Sequence, residues 1–216
     1  MRTPANPRSF KDPTAVLFRT NYIDENNVRE LNQYVRTLQE SRGEDFYIPW
    51  FDPFDGGVNA KILLVGEAPG GKASGTTSAS GFVSTDNNDP TAENMFVLRE
   101  RVGLERSQLV HWNIVPWYVG SGMRISRPNT EMLKNGAKEL EHVLKSLTKL
   151  QVIILLGKTA QTAFYKNILN IRKGIKIFDA PHPSQQGISK HLHPGNKRLL
   201  ILALKKAKIV ISNKKH

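Results

Sequence analysis

The stretch Ile62-Leu63-Leu64-Val65-Gly66-Glu67-Ala68-Pro69-Gly70-Gly71-Lys72-Ala73 decides the fold. Four consecutive aliphatic residues run into a turn rich in Gly and Pro. Successive side chains of a strand point to opposite faces, so an unbroken apolar run needs both faces of its sheet covered. Three more runs behave alike: Leu109 to Val115, Val152 to Leu156 and Ile175 to Phe178, each giving way to Gly, Pro or His. Between them apolar residues recur at three and four positions, as in Val28, Leu31, Val35 and Leu38, or Leu133, Ala137, Leu140, Leu144 and Leu147. Asp89 and Pro90 supply an N-cap and first turn for a helix running to Val102, which Gly103 ends. Strands alternating with helices predict an α/β fold, a three-layer α/β/α arrangement around a central, mainly parallel four-stranded sheet. One domain is expected over residues 1–216, with loops at Gly70 to Gly81 and Gly120 to Pro128 and no internal repeat. Ligands of such sheets bind beyond the carboxyl ends of the strands, which makes the residues just after each run the ones that bear on function.

The turn after the first run also matches the spacing of a phosphate-binding loop, two Gly and a Lys after a strand. Its chemistry argues otherwise. Ala73 stands where a Ser or Thr hydroxyl would hold Mg²⁺, and Pro69 removes a backbone N–H that would cradle phosphate. The carboxylate best placed to hold the metal is Asp179, and it is poorly placed. A nucleotide-binding enzyme is the weaker reading.

Composition narrows the choice further. Lys and Arg number 31 against 19 Asp and Glu, a formal net charge of +12 with a pI near 10.0. Such a surface suits a polyanion, since Lys and Arg that neutralise phosphates release counterions, although solubility alone also explains it. After Asp179 no acidic residue follows, while Lys190, Lys197, Arg198, Lys205, Lys206, Lys208, Lys214 and Lys215 do, giving a C-terminal basic face or a solvated helix surface. The chain has no cysteine, which excludes disulfides, a thiolate nucleophile and cysteine-ligated zinc or iron-sulfur sites. No segment approaches the ~20 apolar residues of a membrane span, and the N-terminus lacks the apolar stretch of a signal peptide. A cytoplasmic protein is expected, nucleoid-associated if the source is bacterial.

With GEAPG at 66–70, Gly81-Phe82 in the following loop, Asn113 within His111-Trp112-Asn113-Ile114-Val115-Pro116, and His182-Pro183-Ser184 after the fourth run, the chain resembles the uracil-DNA glycosylase superfamily. The resemblance covers about Lys61 to Ser184. It implies an enzyme that flips a damaged base out of DNA and hydrolyses its N-glycosidic bond, leaving an abasic site. Cleaving the C1′–N1 bond develops negative charge on the base and an oxocarbenium-like sugar, so the enzyme must stabilise the first and bring water to the second.

The resemblance assigns His182 to hydrogen-bond the developing charge on uracil O2, and Glu67 to orient or activate the water. Asn113 would read the pyrimidine edge, one carboxamide offering both donor and acceptor. Phe82 would be the platform on which the base stacks, with backbone N–H groups after Gly66 assisting. Ser184, Gln185 and Gln186 look like the loop that grips phosphate and probes the duplex; Gln186 and Ile188 both remain open as the residue that fills the gap. Arg124, Arg127 and Lys190 are further candidate DNA contacts.

Each residue has an ordinary alternative: Phe82 as a core aromatic, Asn113 as the bridge of a buried turn, His182 as a satisfied histidine at a strand end. His111, His191 and His193 carry no assigned role, and no metal site is established by spacing.

Two departures from the family pattern matter. The GEAPG branch commonly carries a four-cysteine iron-sulfur cluster, which this chain cannot hold, so no cofactor is expected. The segment Gly81 to Glu93 does not follow the usual continuation, which leaves the preferred base open. The expected partner is DNA containing uracil or a related lesion, bound by a monomer with no membrane association. A non-catalytic nucleic-acid-binding protein on the same fold is the alternative.

Overall fold

The structure is a computed structural model, which describes residues 6–43, 47–74, 78–121 and 124–213. In chain order its elements are α1 (Pro13–Thr20), α2 (Arg29–Arg42), β1 (Trp50–Phe51), β2 (Ile62–Gly66), β3 (Phe82–Val83), α3 (Pro90–Val102), β4 (Leu109–Asn113), β5 (Gly120–Ser121), β6 (Arg124–Ile125), α4 (Thr130–Ser146), β7 (Val152–Leu156), α5 (Lys158–Asn167), β8 (Lys176–Ala180) and α6 (Asn196–Asn213). Four strands form one fully parallel sheet in the order β4-β2-β7-β8. The expected α/β sandwich is therefore present. β8 lies later in the chain than the apolar run Ile175 to Phe178 suggested, which leaves His182 only two residues beyond its end.

Alternation along each strand divides the core in two. Leu63 and Val65 of β2, Val110 and Trp112 of β4, and Ile153 and Leu155 of β7 face α2, α4 and α5; Ile62, Leu64, Leu109, Val152 and Ile154 face α3 and α6. Each buried aliphatic side chain contributes about 1.5–3 kcal/mol relative to exposure, so both layers are needed to hold the strands. Asp89 caps α3, its Oδ1 accepting from the backbone N–H of Thr91 and Ala92, and Gly103 closes the helix at φ +63°.

Small additions surround this frame. β1 and β3 pair in parallel, Trp50 opposite Phe82, and β5 and β6 form a short hairpin where a plain loop was expected over Gly120 to Pro128. The Gly70 to Gly81 stretch is loop as expected where described; residues 75–77 lie outside the described residues, as do Lys214 and Lys215. Among the described residues no helix is long and apolar enough to cross a membrane.

Candidate active site

Because the four strands are parallel, their carboxyl ends share one edge of the sheet, and the motif residues Gly66, Glu67, Asn113 and His182 lie along it. Gly66 ends β2 opposite Asn113, which ends β4. Beyond the strands the ladder continues, with Ile114 N–H donating to the Gly66 carbonyl at 2.9 Å and Val115 N–H to that of Glu67 at 3.0 Å. This stitching fixes the Glu67 backbone against the turn after Asn113. A Cβ on Gly66 would lie 2.6 Å from Asn113 Oδ1, so only glycine leaves the carboxamide its place. A second glycine does the same for His182: Gly157, after β7, has φ +88°, and a Cβ there would lie 3.0 Å from that of His182.

His182 is held in one chemical form. The backbone N–H of Ser184 donates to His182 Nδ1 at 3.2 Å, so Nδ1 is an acceptor and the ring proton of neutral His182 sits on Nε2. Burial pushes the imidazole below its ordinary value of 6.5, partly opposed by the negative charges of Glu67 and Asp89. The ring is consequently neutral at pH 7, with an N–H directed away from its backbone anchor. It also forms one wall of a groove of about 800 Å³ that includes Gly157, Lys158, Asn196 and Lys206.

Among the described residues, the Asn113 carboxamide, the Glu67 carboxylate and His182 Nε2 make no hydrogen bond or ion pair with protein. Asn113 is buried and Glu67 and His182 are partly so; polar groups in such places ordinarily find partners, and leaving them without one costs stability. Three such groups lie at or just beyond the carboxyl ends of the strands with hydrogen-bonding capacity unused.

The remaining predicted residues divide. Ser184 lies beside His182, its Oγ accepting from Gly187 N–H at 3.1 Å, while Gln185 and Gln186 point into solvent. Ile188 is buried in the core against α6, which argues against it as the residue filling a gap in DNA. Arg124 in β6, Arg127 just beyond it and Lys190 are exposed. Phe82 requires a correction: it is not an open loop platform but the first residue of β3, with no exposed surface and its ring 5.7 Å from that of Phe10. Pairing with β1 and the bonds from Phe82 N–H to Ser80 Oγ and from Asn87 Nδ2 to the Phe82 carbonyl draw it inward. Trp112 is likewise internal, stacked on Phe51 at 4.5 Å.

A buried ion network that sequence reading did not find links α1, the turn after β1, the segment after β3 and β4 with the turn before it. Arg106 binds Asp86, Asp55 and Asp52 at 2.6, 2.7 and 2.5 Å, Arg19 binds Asp86 at 2.8 Å and also pairs with Asp52, and His111 Nδ1 lies 2.9 Å from Asp55. Burial opposes ionisation of Asp55, yet Arg106 and His111 hold it below the usual carboxylate value. Scattered over α1, the turn after β1, the segment after β3 and the turn before β4, these residues had no shared spacing to reveal them. They tie together the segments that flank Phe82 and β4.

The family model described as the uracil DNA glycosylase superfamily matches residues 53–205. The chain belongs to that superfamily. Its match begins within the Asp52 to Asp55 turn and ends inside α6, enclosing every motif on the sheet edge. No curated protein matches the chain. Superfamily membership brings a glycosylase-type chemistry on DNA. The cysteine-ligated iron-sulfur cluster of some such glycosylases does not fit a chain without cysteine.

Proposed function

We propose that this protein excises uracil, or a related deaminated base, from DNA by hydrolysing the N-glycosidic bond without a metal or iron-sulfur cofactor. The observation that supports this most is the presence of three unpartnered polar groups of different chemistry, a neutral imidazole N–H, a carboxamide and a carboxylate, along the carboxyl ends of one parallel sheet. The Asn113 carboxamide pairs with the edge of an extruded pyrimidine. As the C1′–N1 bond breaks, its electron pair moves onto the base, and the Nε2–H of His182 donates to O2, where the charge collects. A preorganised donor of this kind is worth ~3 kcal/mol in a site shielded from water.

A neutral imidazole suits the task, because protonating Nδ1 would set two N–H groups against each other at Ser184. Glu67 orients the water that adds to C1′ and takes its proton, which passes to the departing base; its negative charge offsets the oxocarbenium in between. The exposed Gln186 enters the stack where the base has left, offsetting part of the few kcal/mol that extrusion costs. Arg124, Arg127 and Lys190 contact phosphate.

A labelled oligonucleotide panel with U:G, U:A, single-stranded U, T:G and hypoxanthine, cleaved by alkali at abasic sites, tests the reading. Strand breaks at uracil support it. DNA binding without breaks at any base would place the protein among non-catalytic binders.

A further inference from the structure

His182 gains its tautomer from one peptide unit, that joining Pro183 to Ser184, whose N–H donates to Nδ1. The carbonyl of the same peptide accepts from Nδ2 of Asn94, on α3, at 2.8 Å. The described residues contain no cis peptide bond, so this unit is planar and trans, with C=O and N–H pointing in opposite directions. Gripping the carbonyl therefore sets where the N–H points. A continuous chain results: Asn94 Nδ2–H to the Pro183 carbonyl, through the peptide to Ser184 N–H, to His182 Nδ1, leaving the proton on Nε2. Bonds in such a chain polarise one another in the same sense.

We propose that Asn94 is a positioning residue for His182, fixing its tautomer and ring angle through the Pro183–Ser184 peptide without touching substrate. Three features favour this over a merely structural contact. Asn94 lies 89 positions from its partner, on an element that otherwise packs against the sheet face through Met95, Leu98 and Val102. The HPS segment lies beyond the end of β8, where no strand ladder orients its peptides. Finally, the far end of the loop is held separately: Asn196 Nδ2 donates to the Gly187 carbonyl at 2.8 Å and Ile188 is buried, so Asn94 is not required to keep the loop attached.

This inference rests on the proposed function for its catalytic meaning, but its first test needs no DNA. The ¹⁵N spectrum of the imidazoles in the full chain, with His182 identified by its loss in His182→Ala, reports the tautomer directly. Wild type should show a single Nε2–H form at pH 8, whereas Asn94→Leu should show a mixture of Nδ1–H and Nε2–H forms. Asn94→Gln, which retains an amide donor, should recover part of the wild-type signature, and Asn94→Ala provides the same measurement should Leu disturb packing.

In single-turnover excision Asn94→Leu should lose about ten-fold in rate, the equivalent of one hydrogen bond, with DNA affinity changed by less than about three-fold. An unchanged tautomer in both Asn94→Leu and Asn94→Ala would overturn the proposal. So would affinity falling in step with rate. Failure of wild type to cleave any base would instead strike at the glycosylase reading, leaving the tautomer result standing.

Discussion

The carboxamide of Asn113 occupies the space that a side chain on Gly66 would need, at 2.6 Å from where its Cβ would lie. The two residues end adjacent parallel strands in direct register, so neither moves without the other. Gly66→Ala should therefore displace the Asn113 side chain and leave the sheet intact. We expect uracil excision to fall by at least about ten-fold through weaker base capture, with a stability change within about 1 kcal/mol. Single-turnover rates at rising enzyme concentration, beside a thermal melt, distinguish that outcome from unfolding.

Phe82→Ala should behave as a core truncation. With the ring wholly buried against Phe10, its removal should cost about 3–5 kcal/mol. Urea unfolding measures this; a loss below about 1 kcal/mol would place the ring in an open loop after all.

Arg106→Met tests the buried network. Asp52, Asp55 and Asp86 would lose a shared cation in a site closed to water, and breaking such a buried ion pair costs about 3–5 kcal/mol. Arg106→Met should accordingly lower the melting temperature more than any single change at an exposed residue such as Arg124 or Lys190, by calorimetry at pH 7.

Acid should affect stability and rate through His182. Its folded pKa lies below 6.5, so between that lowered value and 6.5 the unfolded chain binds more protons than the native one. Stability attributable to this group is fully present above 6.5 and falls as the pH drops towards the folded value. Because neutral imidazole is the working form, the excision rate should stay level from pH 8 to 6.5 and decline only below. The stability difference between wild type and His182→Ala should be constant from pH 8 to 6.5 and change only on the acid side.

Much of this was legible in the sequence because the deciding residues follow apolar runs. Ile62 to Val65 must be buried on both faces, which fixes a covered parallel sheet, and the turns at Gly66, Asn113 and His182 then fall on one edge. Asp89 was readable as a helix cap, but nothing local told that its charge bears on His182. Helix α6 was visible only as a lysine-rich stretch, although Leu200, Ala203, Leu204, Ala207 and Ile211 recur at helical spacing between the lysines. Phe82 misled because its Gly and Ser neighbours suggest an open loop, whereas the β1 pairing that buries it is made 32 residues away, by Trp50. Asn94 and the Arg106 network act only across long sequence separations, and no periodicity encodes them.

In the proposed reaction a neutral His182 donor, with Glu67 and Asn113, breaks the bond between uracil and its sugar. Its most direct measurement is the single-turnover release of uracil from a U:G duplex by wild type, His182→Ala, Glu67→Gln and Asn113→Ala, all shown to be folded. We expect His182→Ala to lose at least about 100-fold in rate while its DNA affinity stays within about three-fold, since that hydrogen bond strengthens only as the base becomes an anion. Glu67→Gln should lose rate in the same manner, and Asn113→Ala should lose base capture as well. Cleavage of uracil at the wild-type rate by all three folded variants would contradict the assignment of this site.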